Sequence, residues 1–356
     1  VLDRLRTFYQ PQFDLAAWHN VLRAAADSNA ALASFDGDEV PNGQFGSGVE
    51  PDAYALLACD GSQILPNRHA PVLYGLIQAA TVCIGYGVDA NAKPACGAAQ
   101  MRREKIWSEP ELHDEDGLIS PSVLMNERDV LEISLLAEAC ANLAARGIRC
   151  IALVDGSIVP FALVAGRGSP AAQNQLAKPV IAALDTLRKS KATIAGYIDR
   201  PGSATLAAAI ATGMGIKLNG VRAMDLDVVA PALEPGLRSA MFDPGWRNKG
   251  IDALTSAGHA MRACYINLGA TGRPYVARIE LPVWCADEIG VVMAVAMRQS
   301  QASVGDPYPF ILKAAHESAV VTKEDQAEID AMMQRELLRL HVNVHASAKQ
   351  SAKDLR

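Results

Sequence analysis

Two stretches of the chain repeat one order of residues. Leu56 to Pro66 reads LLACDGSQILP, and Ile151 to Pro160 reads IALVDGSIVP. In each, an apolar run leads into Asp-Gly-Ser, and a second apolar stretch closes on Pro. A short apolar run bounded by turn residues reads as a buried strand. The spacing therefore predicts strands over Tyr54–Cys59 and Ile151–Val154, delivering Asp60 and Asp155 at their ends before a Gly-Ser turn. Two carboxylates brought to one place repel unless a cation lies between them, and hard divalent cations take oxygen ligands. The pair points to a metal-dependent active site. Taken singly, an Asp before Gly is also a common turn residue, which is the competing structural reading of each motif.

The rest of the chain surrounds these strands with helices. Leu2 to Leu32 carries an apolar stripe of Leu5, Phe8, Phe13, Leu15, Trp18 and Leu22 and reads as helix, broken at Pro11. Ser34 to Pro51 reads as a loop, Pro66 to Pro71 as a turn, Val72 to Gly87 as a meander of strands, and Pro94 to Asp116 as polar and irregular. Helices are expected over Pro121–Arg146, Ala171–Ser190, Ser203–Gly213, Cys285–Gln301, Tyr308–Val321 and Lys323–Arg339. Thr193–Tyr197, Ala263–Leu268 and Tyr275–Pro282 read as strands, the last two as a hairpin, and Asp225–Phe242 as helix or loop. Strands alternating with helices define an α/β class. The domain reading is an N-terminal helical segment and loop over 1–50 and one main domain over 51–356.

Composition narrows the function. The chain has 356 residues, 50% of them apolar and 20% charged, so it can bury a core. Its net charge of −6 does not advertise a nucleic-acid partner, and any such binding needs a local basic surface or metal ions. The seven cysteines are scattered with no C-x-x-C pair, which argues against a zinc ribbon and for reduced thiols in a cytoplasmic setting. Val1 to Gln10 is mixed and charged and does not read as a signal peptide. The chain opens on Val1 rather than Met, which leaves room for residues before it. Val72 to Val88 is the most lipid-like stretch, but it holds Gln78, Thr81 and three glycines and reads as a core element, so no membrane is expected.

A metal site of this kind needs further ligands. The helix before the second motif offers Glu127, Glu132 and Glu138, and periodicity does not choose among them. Glu132 stands four residues after Arg128, the spacing of an ion pair on a solvated helix face. His316 and Tyr308 are eight residues apart, near two helical turns, and share a face if their helix starts early. A neutral His nitrogen can ligate metal or handle a proton. Asp199 follows another strand, as a site acid or a turn acid. Arg278 and Glu280 alternate to one face and read first as a mutual ion pair. No phosphate loop, G-x-S-x-G elbow or H-E-x-x-H occurs, and Ser62 and Ser157 have no evident partner His.

Taken in order, these motifs resemble the NurA family, nucleases that work with the HerA-type hexameric ATPase in DNA end resection. The resemblance runs from about Ala53 to the C-terminus. It rests on ACDGSQI, Arg128-x-x-x-Glu132, ALVDGS, IAGYIDRP, LEPGLRSAMF, ARIELPVW and YPFILKAAHESAVVT, followed by a tail with spaced lysines. It implies a ribonuclease H-like, PIWI-like fold: a mixed central sheet flanked by helices. It implies Asp60, Glu132, Asp155 and His316 as metal ligands, with Glu138 the fallback on the helix, and Tyr308 as a catalytic-site residue that positions the strand. The cofactor implied is Mn²⁺ or Mg²⁺, as two ions. The partners implied are DNA, as single strands and duplex ends, a HerA-type ATPase, and a second copy of the chain in a homodimer. The activity implied is single-strand endonuclease and 5′-to-3′ exonuclease. A catalytically silent adaptor of the ATPase, and a ribonuclease H-like enzyme acting on RNA or hybrids, are the alternatives.

Overall fold

The structure is a computed structural model that describes residues 1–9, 15–28, 32–35, 38–67, 74–88, 101–107, 120–303 and 307–341. The turn expected over Pro66–Pro71 lies mostly outside the described residues, as do Cys96 and the basic tail beyond residue 341.

The expected helical N-terminus is two helices, α1 (Leu2–Tyr9) and α2 (Leu15–Ser28). A short strand, β1 (Gln44–Phe45), crosses the loop that follows. The first long strand, β2, runs Tyr54–Ile64, and β3 runs Gly75–Tyr86. Here the structure corrects two expectations. The first Asp-Gly-Ser is not a turn: β2 continues through it, with Asp60 opposite Ala80, Gly61 opposite Ala79 and Ser62 opposite Gln78. The described part of Val72–Gly87 is one strand and not a meander. The partner strand is long enough to keep pairing past the motif, and ladder hydrogen bonds override the local turn propensity of Asp-Gly. The stretch read as irregular contains β4 (Met101–Trp107), paired antiparallel to β3.

The chain then alternates as the sequence predicts. Helix α3 (Pro121–Ala144) leads into β5 (Cys150–Asp155), and a single turn, α4 (Phe161–Val164), precedes α5 (Pro170–Lys189). Strand β6 (Thr193–Ile198) is followed by α6 (Thr205–Gly213), α7 (Asp225–Val229), β7 (Arg238–Ser239) and α8 (Lys249–Ser256). Strands β8 (Met261–Asn267) and β9 (Val276–Pro282) form the expected hairpin. A 3₁₀ segment over Val283–Glu288 takes the first turn of the helix expected from Cys285, and α9 covers Ile289–Ala302. The chain closes on α10 (Phe310–Ala319) and α11 (Lys323–Arg339).

Among the described residues, nine strands form one mixed sheet in the order β1-β7-β8-β9-β6-β5-β2-β3-β4. Strands β4, β3 and β2 are antiparallel neighbours, and β5 and β6 then run parallel to β2. Three antiparallel strands followed by two parallel ones make the ribonuclease H-like half of the sheet. The strands β2, β5 and β6 are apolar on both faces because helices cover both.

Side-chain alternation along β2 assigns the helices to faces. Gly61 and Gln63 face α3: Arg128 donates to the Gln63 amide oxygen at 2.8 Å. Asp60 and Ser62 face α10: Ser62 Oγ accepts the Val321 N–H at 3.1 Å. Gln78 of β3 donates to the Ala319 carbonyl at 3.0 Å on that same side.

A second core gathers α1, α2, α6 and α7 against β8. Leu5, Phe8, Trp18 and Leu22 pack there with Leu206, Ile210, Phe242 and Tyr265. Helices α2 and α6 cross at Gly213, where an added Cβ would stand 2.0 Å from the Val21 carbonyl oxygen. Because the obstacle is backbone, no rotamer relieves it. Gly213→Ala is expected to destabilise the protein by about 1–3 kcal/mol, read as a lower midpoint in chemical denaturation. An unchanged midpoint would mean that α2 does not dock there.

Candidate active site

Register brings the two aspartates together. Strands β2 and β5 pair in parallel with Cys59 opposite Val154, so Asp60 and Asp155 follow at neighbouring positions. Their surroundings differ. Asp60 lies within β2, its Oδ1 accepting the Gly61 N–H at 2.8 Å. Asp155 ends β5, and Gly156 then turns the chain at φ 98°, a conformation open to glycine at little cost. The Gly156 N–H is held by the Tyr197 carbonyl of β6 at 2.8 Å.

Of the three glutamates on α3, Glu132 lies over Gly61, next to Asp60. A Cβ on Gly61 would stand 2.4 Å from Glu132 Oε1, so the glycine makes room for the carboxylate. Glu138 is exposed, six residues on and on another face of the helix. The Arg128–Glu132 pair does form, with Nε 3.1 Å from Oε1, but on a face where only 10% of the Glu132 side chain meets solvent. That buried Oε1 has no hydrogen-bond partner of good geometry. Burial pushes the Glu132 carboxyl well above its ordinary range. Arg128 opposes the shift, while the charges of Asp60, Asp129 and Asp155 add to it. Burial likewise raises Asp155, with further upward pressure from Asp60 and Asp199 against the opposing effects of Tyr308 and His316.

His316 and Tyr308 reach the aspartates from α10 and the segment before it. His316 Nδ1 is 2.7 Å from Asp60 Oδ2. With Nδ1 donating, Nε2 keeps its lone pair for a metal or a proton. Tyr308 is not on the helix with His316, since α10 begins at Phe310 after Pro309. It still hydrogen-bonds Asp155, and burial together with that carboxylate raises its phenol. Its ring meets Tyr197 edge-on at 5.6 Å.

These groups border a cavity of about 660 Å³ that Asp60, Glu132 and Asp155 share with Trp246, Ser203 and Thr205. Arg278 and Glu280 line it too. They form the ion pair read from the sequence, at 2.8 Å and almost wholly buried. Ser157 donates to Glu280 at 2.6 Å, so the pair braces the turn after Asp155. Asp199, at the end of β6, is close enough for its charge to act on Asp155. Sequence reasoning missed Asp129, whose only signal is its place beside Arg128: it takes an Arg128 nitrogen at 2.9 Å. Trp246 was also missed, for it comes from a segment with no motif.

The donor set suits a hard cation: three carboxylates, of which Glu132 and Asp155 are raised, one buried oxygen whose only partner is the Arg128 charge, and an imidazole nitrogen. Among the described residues, no three His, Cys, Asp or Glu side chains yet close around one point. Glu132 is engaged with Arg128 and Asp60 with His316. An ion would have to draw them away.

A family model of the NurA domain matches residues 54–321. The chain belongs to the NurA domain family. The match takes in all five residues singled out above and stops short of α11. The fold of this NurA domain is similar to the crystal structure of the NurA nuclease from Sulfolobus solfataricus, with a TM-score of 0.52 and 14% identity over 90% of this chain and 93% of that one. At that identity the likeness establishes the fold. No curated protein matches the sequence.

The raised Glu132 carboxyl has a consequence for stability. A carboxyl whose folded pKa exceeds its unfolded one favours folding below the unfolded pKa and loses that contribution as pH rises through the folded value. In metal-free protein, Glu132→Gln is therefore expected to raise Tm at neutral pH and to leave it unchanged below about pH 4, where the unfolded acid is also protonated. Thermal unfolding in EDTA across that range checks the sign. A Tm lowered by the substitution at neutral pH would show that the Arg128 pair outweighs burial.

Proposed function

We propose that this chain is a metal-dependent deoxyribonuclease, with Asp60, Glu132, Asp155 and His316 as its metal ligands. The observation that carries the reading is the crowding of acids: Asp60 and Asp155 at neighbouring positions of β2 and β5, with a buried Glu132 oxygen over Gly61 that has only the Arg128 charge beside it. Membership of the NurA family supports it. A pair of Mn²⁺ or Mg²⁺ ions would supply an activated water and offset charge on the attacking and leaving oxygens.

The chain's own residues have distinct tasks. Asp60 and Asp155 are set by strand register and present oxygens into the cavity. Glu132 comes from the opposite face of the sheet over Gly61. His316 holds Asp60 in one orientation and offers Nε2. Tyr308 fixes Asp155 and positions the strand. Single-stranded and end-bearing DNA fit the family, as does feeding by a HerA-type ATPase to a homodimer. The net charge of −6 makes such an assembly a reasonable source of the basic surface that DNA needs. Six described cysteines are buried and outside any disulfide, in keeping with a cytoplasmic setting. No described helix is long and apolar enough to cross a membrane.

The test is cleavage of 5′-labelled single-stranded DNA, with RNA and hybrid alongside, in Mn²⁺, Mg²⁺ or EDTA. DNA cutting is expected with metal and not with EDTA. Asp155→Ala should lower it by at least about 100-fold, the upper end of what outer-shell partners of a metal contribute. Preference for RNA would overturn the substrate, and cutting that survives Asp155→Ala would overturn the site. Silence both with and without the ATPase would leave the adaptor reading.

A further inference from the structure

The cavity has a neighbour. A groove of about 300 Å³ lies between the first half of α3 and the loop after α4, lined by Ser122, Met125, Asn126, Asp129, Arg167 and Gln173. Phe161 borders both spaces and forms the wall between them. Phe161 is 55% exposed, and besides Phe310 it is the only aromatic among the exposed large apolar residues described. Burying a phenylalanine is worth about 1.5–3 kcal/mol, so leaving it in water gives up stability.

The ring is nevertheless held in place. The Phe161 N–H donates to the Asp129 carboxylate. Asp129 is paired with Arg128 at 2.9 Å, and Arg128 with Glu132 at 3.1 Å. This chain of contacts fixes the Phe161 backbone relative to the proposed ligand Glu132. The Arg167 guanidinium lies over the ring, 4.8 Å from its centroid. A fixed, exposed aromatic with a cation beside it matches how single strands are bound: bases stack on rings whatever their identity, and arginines meet the phosphates. The cavity beside it is lined by Ile133, Val154, Ile158 and Val164, apolar enough for a base, and of a size usual for small-molecule sites.

We infer that Phe161 and Arg167 form a nucleotide subsite of the single strand, the ring stacking on the base beside the cleaved linkage and the guanidinium meeting its phosphate. The inference rests on the nuclease reading for its location, and its test separates the two. Wild type, Phe161→Ala, Phe161→Trp and Arg167→Ala are compared in metal-dependent cleavage of a single strand carrying an abasic residue at each position in turn. Phe161→Ala is expected to raise KM about 5- to 100-fold, the usual worth of one stacked base, with kcat little changed and with recovery in Phe161→Trp. One abasic position should raise the wild-type KM equally and cost Phe161→Ala nothing more. Arg167→Ala should raise KM at every position and steepen no base dependence.

An unchanged KM in Phe161→Ala, or abasic penalties alike in wild type and variant, would overturn the subsite while leaving the nuclease. So would an intact KM with lost binding of a protein partner. If wild type does not cut, the nuclease reading fails, and binding in EDTA decides the subsite. Tryptophan emission of Phe161→Trp, less that of wild type, should be quenched by an oligonucleotide, and no quenching would overturn it.

Discussion

The two-residue period of one strand organises the site. Along β2, Asp60 points to the α10 side and Gly61 to the α3 side, so adjacent residues address opposite layers. Asp60 takes His316 from one layer, and Gly61 opens space for Glu132 from the other. A β2 that turned after Cys59 would give up this division. The ladder to β3 that carries the strand past the motif is thus also what lets groups from both layers reach one cavity.

Charge burial explains the supports around it. Glu132 stands among three other carboxylates and out of water, an expensive arrangement without a counter-charge. Arg128 supplies part of one, and Asp129 and Gln63 hold Arg128 in place. On the far side of the cavity, Arg278 lies beside the rings of Phe242 and Trp246 while Glu280 takes Ser157. One network fixes the helix acid and the other fixes the turn after Asp155. Both leave the acids short of partners, the state in which a cation gains most.

The second core has a quieter part. Trp18 packs on Phe8 with ring centroids 4.6 Å apart, and Phe35 continues the stack to Phe242, which also meets Tyr265 and Arg278. Segments from the first 50 residues thereby support the wall of the cavity, although none of them carries a motif.

Much of this was legible in the residues themselves. Apolar runs, caps and periodicity determined the α/β alternation, because burial and backbone hydrogen bonding are local enough to leave a period. The doubled Asp-Gly-Ser marked Asp60 and Asp155, and the motif order marked the family. Tertiary structure decided the rest. Asp-Gly-Ser reads alike in both places, yet the antiparallel ladder to β3 keeps the first extended, while the second turns at Gly156 although β2 and β6 flank it. Three glutamates on one helix are equivalent in sequence, and only the space over Gly61 selects Glu132. The spacing of Tyr308 and His316 fits one helix, but Pro309 starts it between them and packing alone brings both to the aspartates. Period and composition are written in neighbouring residues. Which side chains meet across 72 or 256 positions depends on register and on the free space left between layers, and no local pattern records those.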